Sequence, residues 1–199
     1  MLVVLIILAL VFDFLNGLHD SSNIVATMIS SRAFRPQVAL GVTAIAEFTG
    51  PFLFGVAVAK TIGEDVVQSN AITMEVILAA LIGAITWNLV TWLLGIPSSS
   101  SHALIGGFLG AVITGAGFSA IKLAGLEKIL IALFASPIIG FVAGYLVTKL
   151  IFFLARRATP RINKFFNRSQ LFTAVALAFS HGTNDAQKTM GVITLGLLR

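Results

Sequence analysis

The sequence predicts an all-α polytopic membrane protein with broken helices and an internal inverted repeat. Three observations predict it. Of the 199 residues, 57% are hydrophobic and only 11% are charged, where an ordinary soluble domain carries roughly 25% charged residues, and mean hydropathy is +1.00. Apolar runs long enough to cross a bilayer recur along the chain. A polar cluster interrupts the first and the last of them in the same manner. The net charge of +5 comes from a few basic residues flanking apolar runs, a pattern that sets topology rather than one that binds nucleic acid. The chain has no cysteine, which excludes a disulfide framework and thiolate metal sites.

Measured against about 20 residues per span, the apolar runs give six crossings, at roughly 1–30, 37–60, 71–94, 98–117, 127–155 and 170–198. Hydrocarbon cannot satisfy open backbone groups, so each crossing should be helical and any break must be lined by protein or water. The first opens as MLVVLIILALVF, without the basic leader or small-residue cleavage site of a signal peptide, and is expected to be retained. Its polar stretch FLNGLHD then gives way to IVATMI. The second carries AIAEFTGPF, in which Glu47 and Thr49 precede the helix-disturbing pair Gly50 and Pro51. Trp87, Asn88 and Trp92 close the third and are read as packing or sealing residues. The fourth follows Pro97 and four serines, either as a crossing or as part of a re-entrant hairpin. The fifth runs into a basic junction, and the sixth holds the second polar interruption.

That junction, 156–168, contains Arg156, Arg157, Arg161, Lys164 and Arg168 and no acid, so it is expected in the cytoplasm. Counting back puts Arg32 and Arg35 on the same side and the N-terminus, Glu64, Asp65, Lys122 and Glu127 outside. Pro160 discourages helix continuation through the junction. The organisation expected is a first repeat over 1–155, a basic cytoplasmic linker over 156–168 and the start of a second repeat over 169–199, in a multi-pass plasma-membrane protein.

The two interruptions align. Phe14, Gly17 and Asp20 of FLNGLHD fall on Phe179, Gly182 and Asp185 of FSHGTND at a constant offset of 165 residues, as 185 − 20 shows. Five crossings lie between the two starts, and an odd number reverses direction. Inverted repeats with interrupted helices are a common construction of secondary transporters, with ligand sites at the repeat interface near mid-membrane. A second unit as long as the first would pass beyond Arg199, so this sequence is expected to be one portion of a larger assembly; a six-helix protein with an accidental repeat is the alternative.

A carboxylate deep in hydrocarbon is costly and faces a cavity or a partner. Asp20 and Asp185 are therefore the leading candidates for the site, as hard-oxygen ligands of sodium or as proton acceptors, with Gly17 and Gly182 allowing the chain to turn beside them. Asn16, Asn23 and Asn184 offer carbonyl ligands or amide donors. Glu47 is a candidate cation ligand. In GIPSSSSHALIGG, Pro97 sets an entry turn and Ser98 to Ser101 offer hydroxyls at a helix N-terminus, where unpaired N–H groups and the helix dipole favour a tetrahedral oxyanion. Protonated phosphate can donate to a carboxylate while its other oxygens accept from serine and backbone, which sulfate cannot do. Gln187 can hydrogen-bond such an anion, and Lys188 can balance an acid or attract it. His19, His102 and His181 are too far apart in sequence for a compact zinc motif.

At these residues the sequence resembles the inorganic phosphate transporter family, often called the PiT family. The stretches FDFLNGLHDSSNIVAT, GIPSSSSHALIGG and FSHGTNDAQKTMGVITLGL carry the resemblance, which reaches from Met1 to the end of the chain. It implies two inverted repeats, phosphate uptake by alternating access, coupling to sodium or protons, no other cofactor, and homodimerisation in a lipid bilayer. By its pattern, the site falls to Asp20, Asn23, Ser99, Ser100, Ser101, Asn184, Asp185 and Gln187, all expected to serve phosphate; the cation is expected on Asp20, Asn184 and Asp185 and on Glu47, which is read from its own place in AIAEFTGPF, and a sodium ion would lie on Asp20 and Asp185. Two departures stand out: HDSSN where HDTAN is usual, and the absence of a second serine- or threonine-rich turn. A membrane hydrolase using Ser100, His102 and Asp20 is a competing reading, opposed by the spacing of those residues and the lack of a nucleophile elbow; a purely structural subunit is another.

Overall fold

The computed structural model describes residues 1–54 and 66–199. Among these residues six α-helices dominate: α1 Leu2–Ser30, α2 Pro36–Phe54, α3 Met74–Leu94, α4 Ser100–Ala116, α5 Leu123–Ala155 and α6 Asn163–Leu197, with single 3-10 turns at Ser69–Ala71, Phe118–Ala120 and Pro160–Ile162. Among the described residues, α1, α3 and α5 are long and apolar enough to cross a membrane, and α4 is a shorter apolar helix. Each of the six expected segments holds one of these helices, the third and fourth beginning two to three residues later than expected, at Met74 and Ser100. The end of the second and the connection at Glu64 and Asp65 lie outside the described residues.

The largest difference from expectation lies in α1 and α6, which are unbroken. Helical structure runs through FLNGLHD and FSHGTND alike, and neither Gly17 nor Gly182 has positive φ. Helix propensity explains why. A glycine inside a helix costs about 1 kcal/mol, whereas each backbone group left unpaired in hydrocarbon costs several. Side chains lower the cost further: Ser21 and Ser22 return their hydroxyls to the carbonyls of Leu18 and His19, at 3.5 and 3.3 Å, and Thr183 does so to Phe179 at 2.7 Å. The polar residues are thus displayed along continuous helices.

Gly182 serves a different purpose from the one its sequence context suggests. A Cβ there would run into the backbone of Glu47, and one at Gly50 would meet the Phe179 carbonyl at 2.7 Å. The α2 and α6 backbones therefore approach closely, as small residues permit in membrane helices. True turn glycine is found at Gly95, where φ of 65° caps α3 in the left-handed conformation and reverses the chain toward the serines.

Helix α1 lies at the centre, against α2, α3 and α6, while α3 and α4 form an antiparallel hairpin. The far end of that hairpin is fastened by an antiparallel bridge between Val67 and Ile121, with Gln68 N–H on the Ala120 carbonyl at 2.9 Å and Lys122 N–H on that of Val66 at 2.8 Å. Apolar contacts form two zones. Leu5, Ala9 and Phe12 pack with Ile77, Leu81, Leu104, Phe108 and Val192; Ile24, Val25 and Met28 pack with α2 and α6 through Ala39, Ala46, Ala174 and Ala178. Between the zones both α1 and α6 turn polar. Helix α5 stands apart, with none of its span-length apolar stretch buried, and α6 already begins at Asn163, so the later part of the basic junction is helical.

Gly182→Ala should destabilise the protein by about 1–3 kcal/mol, the usual cost of forcing atoms into a packed contact. Gly41→Ala, with nothing within 4 Å of the added carbon, should leave stability unchanged or raise it by up to about 1 kcal/mol. Thermal unfolding of both variants in detergent distinguishes the tight crossing from a loose one.

Candidate functional site

The polar zone is made by α1 and α6 crossing beside the start of α4. On α1 the turn-to-turn spacing puts Asn16, His19, Asp20 and Asn23 on adjoining positions of one polar sector. On α6 the same spacing aligns His181, Asp185 and Lys188. The crossing brings one carboxylate oxygen each from Asp20 and Asp185 and a ring nitrogen of His181 within 4.8 Å of one another. The two acids, 165 residues apart in sequence, thus share one site.

Asp185 is the better partnered acid. Its Oδ1 accepts from the Lys188 ammonium at 2.8 Å, and its Oδ2 lies 3.5 Å from His181 Nδ1, an ion pair when the ring is protonated. Lys188, only 4% exposed, also donates to the hydroxyl oxygens of Ser100 at 3.2 Å and Ser101 at 3.1 Å. One ammonium therefore joins α6 to the first turn of α4. Asp20 accepts from the Asn23 amide at 3.5 Å.

Ser99 occupies the N-cap position of α4 in an extended conformation but makes no capping side-chain bond. The N–H groups that open a helix have no partner within it, and Ala103 is the residue whose N–H first reaches back, to the Ser99 carbonyl at 3.0 Å. At about 1.5 Å per residue, the 17 residues of α4 fall short of hydrocarbon about 30 Å thick. Ser98 accepts from the Trp87 indole at 3.0 Å and His19 reaches the Asn88 carbonyl at 2.9 Å, so α3 holds both the serine turn and α1.

Two cavities flank the acids. One, of about 480 Å³, is lined by His19, Asp20, Ser22, Asn23, Pro97 and Ser98 among others. The second, of about 540 Å³, is lined by Asp13, Gly17, Glu47, Gly182 and Asp185 among others. Asn16, 1% exposed, faces Asp185 without closing a hydrogen bond to it, and both its amide atoms lack a partner among the described residues. A buried unpartnered amide is uncommon in protein interiors, and it marks this belt as a place able to receive a polar ligand.

The expected residues divide accordingly. Asp20, Asp185, Ser100 and Ser101 converge, joined through His181 and Lys188. Asn23 is exposed on the first cavity and Glu47 lies on the second. Gln187 is buried. Ser99 and Asn184 are exposed, and among the described residues no hydrogen bond joins Asn184 to either acid. His102 is exposed too, and Lys188, not a histidine, lies on Ser100. Asp13, outside the expected set, accepts from Thr189 at 2.8 Å; its position one helical turn before Asn16 and Gly17 on an otherwise apolar run is the sequence signal for it.

The model of the phosphate transporter family matches residues 16–199. A protein of Bacillus subtilis (strain 168) described as a probable low-affinity inorganic phosphate transporter is 48% identical over 98% of this chain and 60% of its own length. One of Rhizobium meliloti (strain 1021) with the same description is 48% identical over 98% of this chain and 59% of its own. The chain thus spans about 60% of the length of these relatives. A solved structure, the sodium-dependent phosphate transporter, superposes with a TM-score of 0.80 at 20% identity, over 99% of this chain and 67% of that one, a likeness of fold.

Removing one partner of a buried ion pair strands the other, at a cost of about 3–5 kcal/mol. Asp185→Leu should destabilise the protein by that order, and combining it with Lys188→Met should recover most of the loss. Denaturant unfolding of the single and double variants gives the coupling directly; additive losses would contradict the geometry described.

Proposed function

Because the chain belongs to the phosphate transporter family, we propose that it provides the phosphate- and cation-binding centre of a symporter that works by alternating access in the plasma membrane. The observation that carries this reading is the meeting of Asp20 and Asp185 beside the open first turn of α4, through Lys188 on Ser100 and Ser101. The arrangement suits a partly protonated oxyanion. Serine hydroxyls, helix N–H groups and the ammonium can receive the charged oxygens, and a carboxylate can accept from the anion's own O–H. In this proposal Asp20, Asn23, Ser99, Ser100, Ser101, Asn184, Asp185 and Gln187 serve phosphate. Asp20, Glu47, Asn184 and Asp185 serve the coupling ion, sodium or a proton.

A cation placed between acid and anion offsets their repulsion, so each ion strengthens binding of the other, and the coupling is reciprocal. No covalent step is needed. The two copies of the motif, on helices running in opposite senses, would rock about the bound pair and exchange the side to which it is open. The basic residues of 156–168 support a cytoplasmic junction and an external N-terminus, and the reading extends to a homodimer. A second reading, in which transport requires further membrane helices, is favoured by the uncovered apolar surface of α5.

Radiolabelled phosphate uptake into proteoliposomes, under separately imposed sodium and proton gradients, tests the proposal. Asp20→Asn and Asp185→Asn should each lower uptake by about 10- to 100-fold, the loss expected for a hydrogen bond to a charged group. Undiminished uptake by both would remove these acids from the site. Uptake that requires added downstream helices of a longer relative would favour the second reading.

A further inference from the structure

The internal repeat continues past its acids. At the same offset of 165, Asn23 falls on Lys188, as 23 + 165 shows. Each acid is thus followed three residues later by a side chain of different chemistry, an amide in the first copy and an ammonium in the second. In the first copy the amide lies 3.5 Å from Asp20 Oδ1; among the described residues Asp20 has no lysine or arginine at ion-pair distance, its neighbours being Asn23, His181 and Asp185. In the second copy the ammonium is 2.8 Å from Asp185 and touches two serine hydroxyls as well.

We propose that the Lys188 ammonium is a tethered cation: it fills, in the second copy of the motif, the position that the Asn23 amide in the first copy shares with a mobile monovalent cation. The environment is that of a cation site. Three oxygens, one anionic and two hydroxyl, surround a single positive centre that is 4% exposed. Hard cations of the sodium class are bound by carboxylate, hydroxyl and amide oxygens of this kind, and an ammonium on a flexible stem substitutes as a compact point charge. The tether has two consequences. The Asp185 oxygen that holds Lys188 needs no exchangeable ion, so the cations that accompany phosphate are fewer by one than in a site with an amide in both copies. The charge also stays beside the first turn of α4 when mobile ions leave, so the anion site keeps a resident counter-charge throughout the cycle. This deepens the phosphate reading and rests on it for those consequences, whereas the count of bound sodium does not depend on phosphate.

The test is Lys188→Asn, which makes the second copy match the first. Equilibrium dialysis of the purified full chain with radioactive sodium, in choline chloride, should find the variant holding one more sodium per chain than the parent. Its phosphate affinity should become sodium-dependent by at least about fivefold more than the parent's, the lower end of ordinary coupling between sites. Sodium chloride should restore its melting temperature toward the parent's, while Lys188→Met, without ligand oxygens, should not respond. Lys188→Gln carries the same amide one methylene further out and takes the place of the asparagine variant if that variant does not fold. Equal sodium counts in parent and amide variants would overturn the proposal. An extra sodium in the variant without phosphate binding in either protein would uphold the tether and count against the phosphate reading.

Discussion

The bond between Asp185 and Lys188, held in turn by Ser100 and Ser101, is the interaction on which the rest of the molecule depends. An ion carried from water into a low-dielectric interior loses several kcal/mol of solvation even after relaxation, and a lone partner seldom repays it. Here the ammonium has three oxygen partners, and the carboxylate has His181 at its other oxygen. That set cannot be completed by α6 alone. It requires the N-terminal turn of α4 to arrive at the same depth, which fixes where the α3–α4 hairpin must stop and how it must lean on α1.

The surrounding packing follows from the need to hold charge at one level of an otherwise apolar body. Apolar clusters lie to either side of the polar belt, and small residues let the backbones close tightly around it, most plainly where Gly182 meets Glu47. Continuous helices hold the acids more rigidly than loops would, with helical structure running through both polar stretches. Open N–H donors come instead from α4, which starts at this depth and so presents them without breaking any helix. One element supplies open donors, and two supply the fixed charges.

Much of this was legible in the sequence, and the reasons it was are particular. The 165-residue offset between Asp20 and Asp185 points to two copies of one motif, and the two acids meet at one site. Pro97 and the serines marked the start of α4 correctly. The polar stretches suggest interruptions that α1 and α6 do not have: Gly, Asn and Asp lower helix propensity by about 1 kcal/mol or less, too little to open a helix in hydrocarbon. The destination of Gly182 was hidden because close approach depends on α2, which no local pattern reveals. Lys188 was noted as a counter-charge, but its bonds to Ser100 and Ser101 join residues 88 and 87 positions apart, beyond the reach of spacing arguments. Asp13 went unremarked because its partner, Thr189, lies 176 positions away.

The account stands on the two acids facing one shared space. Since the chain has no cysteine, the variant carrying Asp20→Cys and Asp185→Cys presents a single thiol pair, and cadmium binding to it in detergent measures their proximity. Two thiolates at the shared site should hold one ion at least about 100-fold more tightly than either single variant, as expected when the second ligand is already in place. Affinity for cadmium no greater than that of the single variants would contradict the common site and, with it, the reading of this belt as the place where anion and cation meet.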